Sequence, residues 1–201
     1  NWFHPQRQPN GDYLAYDEEG TQIARMPARG TFFDQTYFPY VEDYPEDYGD
    51  LDRQMGKVLW SALVHSPWSH AGEQDFYAIL REKTLWLRAE TDKALMLTCG
   101  CNLFEWGTFL RRMDNFLMDI YTEEDQVRSL VEQLMDRHLA TLEKVCESVG
   151  DIVDIVRFGD DLGMDTGMFM SREKYQSLFK PYHTKLNEYV HEHSSMKTLL
   201  H

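Results

Sequence analysis

The stretch Arg157-Phe-Gly-Asp-Asp-Leu-Gly-Met-Asp-Thr-Gly167 places two adjacent carboxylates, Asp160 and Asp161, directly after the apolar run DIVDIV. At such a point carboxylates can line a site at the carboxyl end of a strand. Asp and Gly are also ordinary turn residues, Asp for Asx-type hydrogen bonds and Gly for positive φ, so a turn plus a helix cap explains the stretch equally well. Glu105 follows the segment CGCN and would face the same place from a first helical turn; an exposed helix acid is the plain alternative. Cys99 and Cys101 form a CxC that lacks the second ligand pair of a strong zinc motif and reads as buried small residues. His201 ends the run MKTLLH.

The elements that must position these residues alternate helix and strand from Gln74 onward, the order of a parallel α/β architecture. Residues 76–93 read as a helix, with Phe76, Ile79, Leu80, Leu85 and Leu87 on its apolar surface, and 94–99 (ALMLTC) as a short buried strand. Two helical pieces, 103–112 and 116–121, flank Asp114-Asn115. Thr122 then reads as the N-cap of a long helix that ends at Gly150. IVDIVRF is the next strand, and Ser171 caps a helix that Pro181 kinks or breaks. MKTLLH is the last strand. Strand ends in α/β folds gather sites at their carboxyl edge, so Cys99, Asp160 or Asp161, and His201 would share one mouth. His191 and His193 read as solvent-facing.

The texture changes near Pro67, which divides residues 1–66 from 67–201. The first part is aromatic, acidic and punctuated by Pro and Gly. DYLAYDEEGTQIARM reads as a hairpin turning at Glu18-Glu19-Gly20, and TFFDQTYFPYVEDYPEDYGD as an irregular loop with aromatic anchors and solvated carboxylates. The 201 residues carry a formal charge of -14, which argues against nucleic-acid binding. No apolar run approaches the ~20 residues of a membrane span, and the first residues lack the layout of a signal peptide. The expectation is a soluble cytoplasmic protein whose three cysteines are reduced thiols.

From FGDDLG to the final His, the order of strand, GDDLG loop, Ser-capped helix with an aromatic-Pro step, and strand ending in His resembles the uroporphyrinogen decarboxylase superfamily, in its branch of corrinoid-linked methyltransferases. LFEWGTFLRRMDNFLMDIYTEEDQVRSLVEQL is similar to the same branch, and the N-terminal hairpin and acidic loop are weaker counterparts of its insertion. The resemblance implies a TIM (β/α)8 barrel. Such a barrel takes about 250 residues, and three convincing strands imply that only part of it is present, with residues 1–66 as an insertion. It also implies an enzyme moving a methyl group between a corrinoid, carried by a partner protein, and a thiol or other small acceptor. Zinc would activate the acceptor, with His201 matching the first metal ligand of a strand-end His, a Cys two residues later and a more distal Cys. Asp160, Asp161 and Glu105 would then build the polar wall of the site, one aspartate orienting a substrate or a metal ligand through hydrogen bonds, with Asp161 the stronger candidate, and the other capping the loop. Uroporphyrinogen decarboxylation is the alternative, although the arginine-rich N-terminal signature and Gly-Ala-Pro segment of that enzyme are not found. A non-catalytic corrinoid-binding barrel is the third reading.

Overall fold

The computed structural model describes residues 4–59 and 72–201, so the expected boundary at Pro67 lies outside the described residues. The chain forms two compact units, Asn1–His70 with Phe109–Asn115, and Ala71–Thr108 with Phe116–His201.

In the first unit β1 (Gln6–Arg7), β2 (Tyr13–Tyr16), β3 (Gln22–Met26) and β4 (Asp34–Gln35) make an antiparallel sheet in chain order. The β2–β3 hairpin turns where expected. Asp17 Oδ1 accepts the amides of Glu19 at 2.9 Å and Thr21 at 2.8 Å, and Gly20 takes the left-handed φ of 84° that the turn demands. Ala15, Ile23, Ala24 and Leu59 form the small core, with Phe33 and Tyr37 packed against it. The acidic loop holds on through buried Tyr40 and Tyr44, and Arg111 donates to the carbonyls of Tyr40 and Val41. Helix α1 (Leu51–Lys57) follows, with Leu51 buried.

From Phe76 the chain runs α2 (Phe76–Glu90), β5 (Met96–Gly100), α3 (Phe104–Arg111), α4 (Met113–Thr122), α5 (Glu124–Val149), β6 (Ile155–Phe158), β7 (Gly163–Met164), β8 (Gly167–Met168), α6 (Arg172–Leu178), α7 (Lys180–His193) and β9 (Lys197–Leu200), and all but Phe109–Asn115 belongs to the second unit. β5, β6 and β9 form a parallel sheet with β6 in the middle; Met96 registers with Ile155 and Lys197, and Thr98 with Arg157 and Leu199. Side chains alternate across this sheet. Val156 and Phe158 are buried on one face, whereas Met96 and Leu199 on the other are exposed and Ile155 and Arg157 half-buried. The α5 stripe of Val127, Leu130, Val131, Leu134, Leu142, Val145 and Val149 is buried throughout, at the spacing that the sequence predicts. Phe104, Phe116 and Phe179 are fully buried and pack with ring centroids 5.8–6.4 Å apart, with Phe169 stacked on Phe104 at 5.6 Å. Gly107 makes this possible, because a Cβ there would overlap the Phe116 ring.

Several boundaries differ from the sequence reading for local reasons. The helix break falls at Arg112, with φ 70°, rather than at Asp114-Asn115, and the Arg112 guanidinium grips the Asp114 carboxylate across the break at 2.6 and 2.7 Å. Thr122 does not cap α5; it is the last residue of α4, and its hydroxyl donates to Met118 O. Gly150 follows α5 with an ordinary helical φ of -63°, and what it supplies is room, since a Cβ would press on Cys146 O and Ser194 Cβ. Ser171 does cap α6, accepting from Lys174 N, and Pro181 opens α7 just after the break at Phe179. The hairpin of β7 and β8 was not anticipated, because two-residue strands show no period. The result is a mixed α/β fold of seven helices and small sheets, none closed into a barrel among the described residues. No helix among them is long and apolar enough to cross a membrane.

Candidate functional site

Because β5, β6 and β9 run parallel, their carboxyl ends lie on one edge. β5 leaves the sheet through Gly100 and Cys101, both left-handed at φ 71° and 55°, which turns the chain into Asn102 and the start of α3. That turn rules out an extended CxC with both sulfurs on one face. β6 leaves through Gly159, whose amide donates to Gly100 O at 2.7 Å, and a Cβ on Gly159 would run into the Asn102 side chain. His201 N donates to Phe158 O at 3.1 Å, which sets this residue beside the Gly159 turn.

The two adjacent carboxylates part company here. Asp160 is fully buried and its backbone sits at φ 147°, a conformation that an L-residue adopts only under constraint. Its Oδ2 accepts the amides of Leu103 and Phe104 and lies 2.9 Å from His183 Nε2; its Oδ1 accepts the Glu105 amide, again at 2.9 Å. Asp160 therefore caps the start of α3, a helix that follows a different strand, and its negative charge faces the positive end of the helix dipole. Asp161 points out to solvent, with Oδ1 2.7 Å from His201 Nδ1. Its amide donates to Glu105 Oε2 at 3.3 Å.

Glu105 thus joins the same edge. Asn102 Nδ2 donates to its Oε2. Burial pushes the Glu105 carboxyl above the usual carboxylate range; the hydrogen bond from Asn102 opposes this, and the negative charge of Asp160 adds to it. Beneath Asn102, His138 of α5 lies with Nε2 2.8 Å from Asn102 O, and burial pushes its imidazole down to about 4. The ring is neutral at neutral pH, so its Nε2–H donates to that carbonyl.

All four residues singled out in the sequence, Glu105, Asp160, Asp161 and His201, lie at this edge, with Glu105, Asp161 and His201 on its accessible side. His138, His183, Asn102 and Tyr175 were not anticipated. Leu134-His138-Leu142 and Phe179-His183-Leu186-Val190 each set a histidine inside an apolar helical stripe, a signal that marks a buried, partnered ring.

A carboxylate at Nδ1 is the arrangement that orients a ligating imidazole and leaves Nε2 for the metal. Cys99 and Cys101 do not complete such a site: burial raises both thiols, Cys101 to about 12, and keeps them protonated. Among the described residues no group of three or more His, Cys, Asp or Glu side chains is placed to hold a metal ion. His191 and His193 are exposed, as expected, and lie on α7 away from these contacts. Compared with known proteins, the chain has no significant match to a family model, a curated protein or a solved structure.

Proposed function

We propose that the chain is part of a cytoplasmic uroporphyrinogen-decarboxylase-like TIM-barrel enzyme that moves a methyl group between a corrinoid on a partner protein and a thiol or other small acceptor, with His201 as one zinc ligand. The observation that carries this reading is the Asp161–His201 pair, 2.7 Å apart on the carboxyl edge of a parallel sheet, with Glu105 beside it. Parallel sheets are almost always covered on both faces. An exposed face bearing Met96 and Leu199, and edge strands β5 and β9 with no further strand among the described residues, are what an arc of a larger barrel presents.

In this reading Asp161 holds the His201 ring by Nδ1 and turns Nε2 towards the ligand position. Bound zinc supplies acidity, lowering the pKa of a coordinated thiol. Glu105, half-buried and restrained by Asn102, presents a carboxyl that stays protonated to higher pH than an exposed one and serves as a hydrogen-bond donor to an acceptor or donor molecule in the mouth. Asp160 builds the edge and stays out of reach of substrate.

The test is zinc content per chain in the full-length protein, for wild type, His201→Ala and Asp161→Asn, followed by demethylation of methylcobalamin read by its visible absorbance. Near-stoichiometric zinc that falls in both variants, with turnover, supports the reading. Protein that stays metal-free after reconstitution overturns it in favour of tetrapyrrole decarboxylation or a non-catalytic corrinoid-binding role.

A further inference from the structure

Beneath the edge a chain of polar groups runs from half-buried Tyr175 through buried His183 to buried Asp160. Tyr175 Oη of α6 is 3.3 Å from His183 Nδ1 of α7, and His183 Nε2 is 2.9 Å from Asp160 Oδ2. The His183 side chain is 4% exposed and that of Asp160 0%. A carboxylate only accepts, so the ring proton that meets it sits on Nε2; in the neutral ring Nδ1 is then the acceptor for the tyrosine hydroxyl. Asp160 thereby sets the tautomer, and Tyr175 holds the far side of the ring.

The division of labour between the two Asp160 oxygens shows what His183 adds. Oδ2 carries three contacts, from Leu103 N, Phe104 N and His183, while Oδ1 carries one, from Glu105 N. Losing the imidazole leaves Oδ2 with its two amides alone and removes the contact that α7 makes to this carboxylate. The backbone of Asp160, at φ 147°, also favours relaxation, so the loop is held by its side-chain contacts.

We propose that His183 is a positioning residue for Glu105, acting through Asp160, in the reaction at this edge. The inference rests on the proposed reading of the edge as the site. His183 sets the carboxylate, the carboxylate sets the Glu105 amide, and Asn102, itself held by His138, sets the Glu105 side chain. Two helices packed behind the sheet thus fix one acid in front of it.

The experiment uses the full-length protein with His183→Gln, His183→Leu and Tyr175→Phe. The primary readout is the 13C titration of the Glu105 side-chain carboxyl, assigned by its disappearance in Glu105→Gln; the secondary readout is kcat against KM for methylcobalamin demethylation. In His183→Leu the Glu105 titration should move down towards the ordinary glutamate range as its burial loosens, and kcat should fall about tenfold or more with KM little changed. His183→Gln, whose amide donates to Asp160, should recover both. A His183→Leu protein with a lowered melting temperature and a wild-type Glu105 titration overturns the proposal and leaves His183 a core residue. If His183→Leu does not fold, Tyr175→Phe decides: the Glu105 titration moves in the same direction, or the proposal falls. The NMR readout needs no turnover, so a shifted titration in an inactive protein sinks the methyl-transfer reading alone.

Discussion

Among the described residues each unit has a buried aspartate in a loop, Asp12 in one and Asp160 in the other, and the two are satisfied by different chemistry. Asp12, in the antiparallel unit, accepts from Arg25 Nε at 3.0 Å and Nη2 at 2.8 Å, from Ala28 N and from Asn10 Nδ2. The Arg25 guanidinium holds its carboxyl below the usual range, and the left-handed φ beside it falls on a glycine, Gly11. Asp160 has three amides and one imidazole as donors, and takes the unfavourable φ itself. One carboxylate is neutralised by a cation and locks a turn. The other caps a helix N-terminus and adds to the burial that raises the carboxyl of Glu105 beside it. In the proposed reading, strain borne by a non-glycine residue marks the Asp160 edge as the one that faces ligands.

The largest effect should come from removing the unusual member of this pair. Asp160→Ala strands three amides and the His183 ring in a buried place, and should cost about 3–5 kcal/mol in urea denaturation; a loss below about 1 kcal/mol would mean that water replaces the carboxylate. Next comes acid. His138 is depressed from 6.5 to about 4, so its contribution is complete above pH 6.5 and is lost as pH falls from there to about 4, roughly 3 kcal/mol in all. Thermal melts across that window should show the loss, and His138→Gln should flatten it. Gly159→Ala drives a Cβ into the Asn102 side chain and should cost about 1–3 kcal/mol by overpacking. It should also shift the Glu105 titration, which a remote overpacked site would not do. Asp12→Asn should have the smallest effect. Because the Asp12 carboxyl is lowered from 3.8, the ion pair stabilises above that pH and its contribution fades as pH falls through the lowered value; the variant should lose this acid limb and its salt sensitivity.

Much of the scaffold was legible because it is local. The β2–β3 turn, the Ser171 cap, the Pro181 break and the order of strands rest on neighbours a few residues apart. That Asp160 and Asp161 close a strand was legible too, with Asp161 as the stronger candidate for the open role; the backbone twist that aims Asp160 at amides 55–57 residues earlier was not. His183 meets Asp160 across 23 residues and His138 meets Asn102 across 36, contacts that periodicity encodes only as a polar residue in an apolar stripe. Thr122 shows the converse error, a sound capping signal already used by the preceding helix.

The central claim is that Asp161 works the edge while Asp160 builds it. The most direct test sets full-length Asp161→Asn beside Asp160→Asn, measuring melting temperature and methylcobalamin demethylation on the same samples. Asp161→Asn should melt within about 2 °C of wild type, as exposed substitutions do, with turnover down about 10- to 100-fold as the His201 ring loses its orienting carboxylate. Asp160→Asn should lose both together. Wild-type turnover in Asp161→Asn, or a loss no larger than its fall in stability explains, would contradict the account.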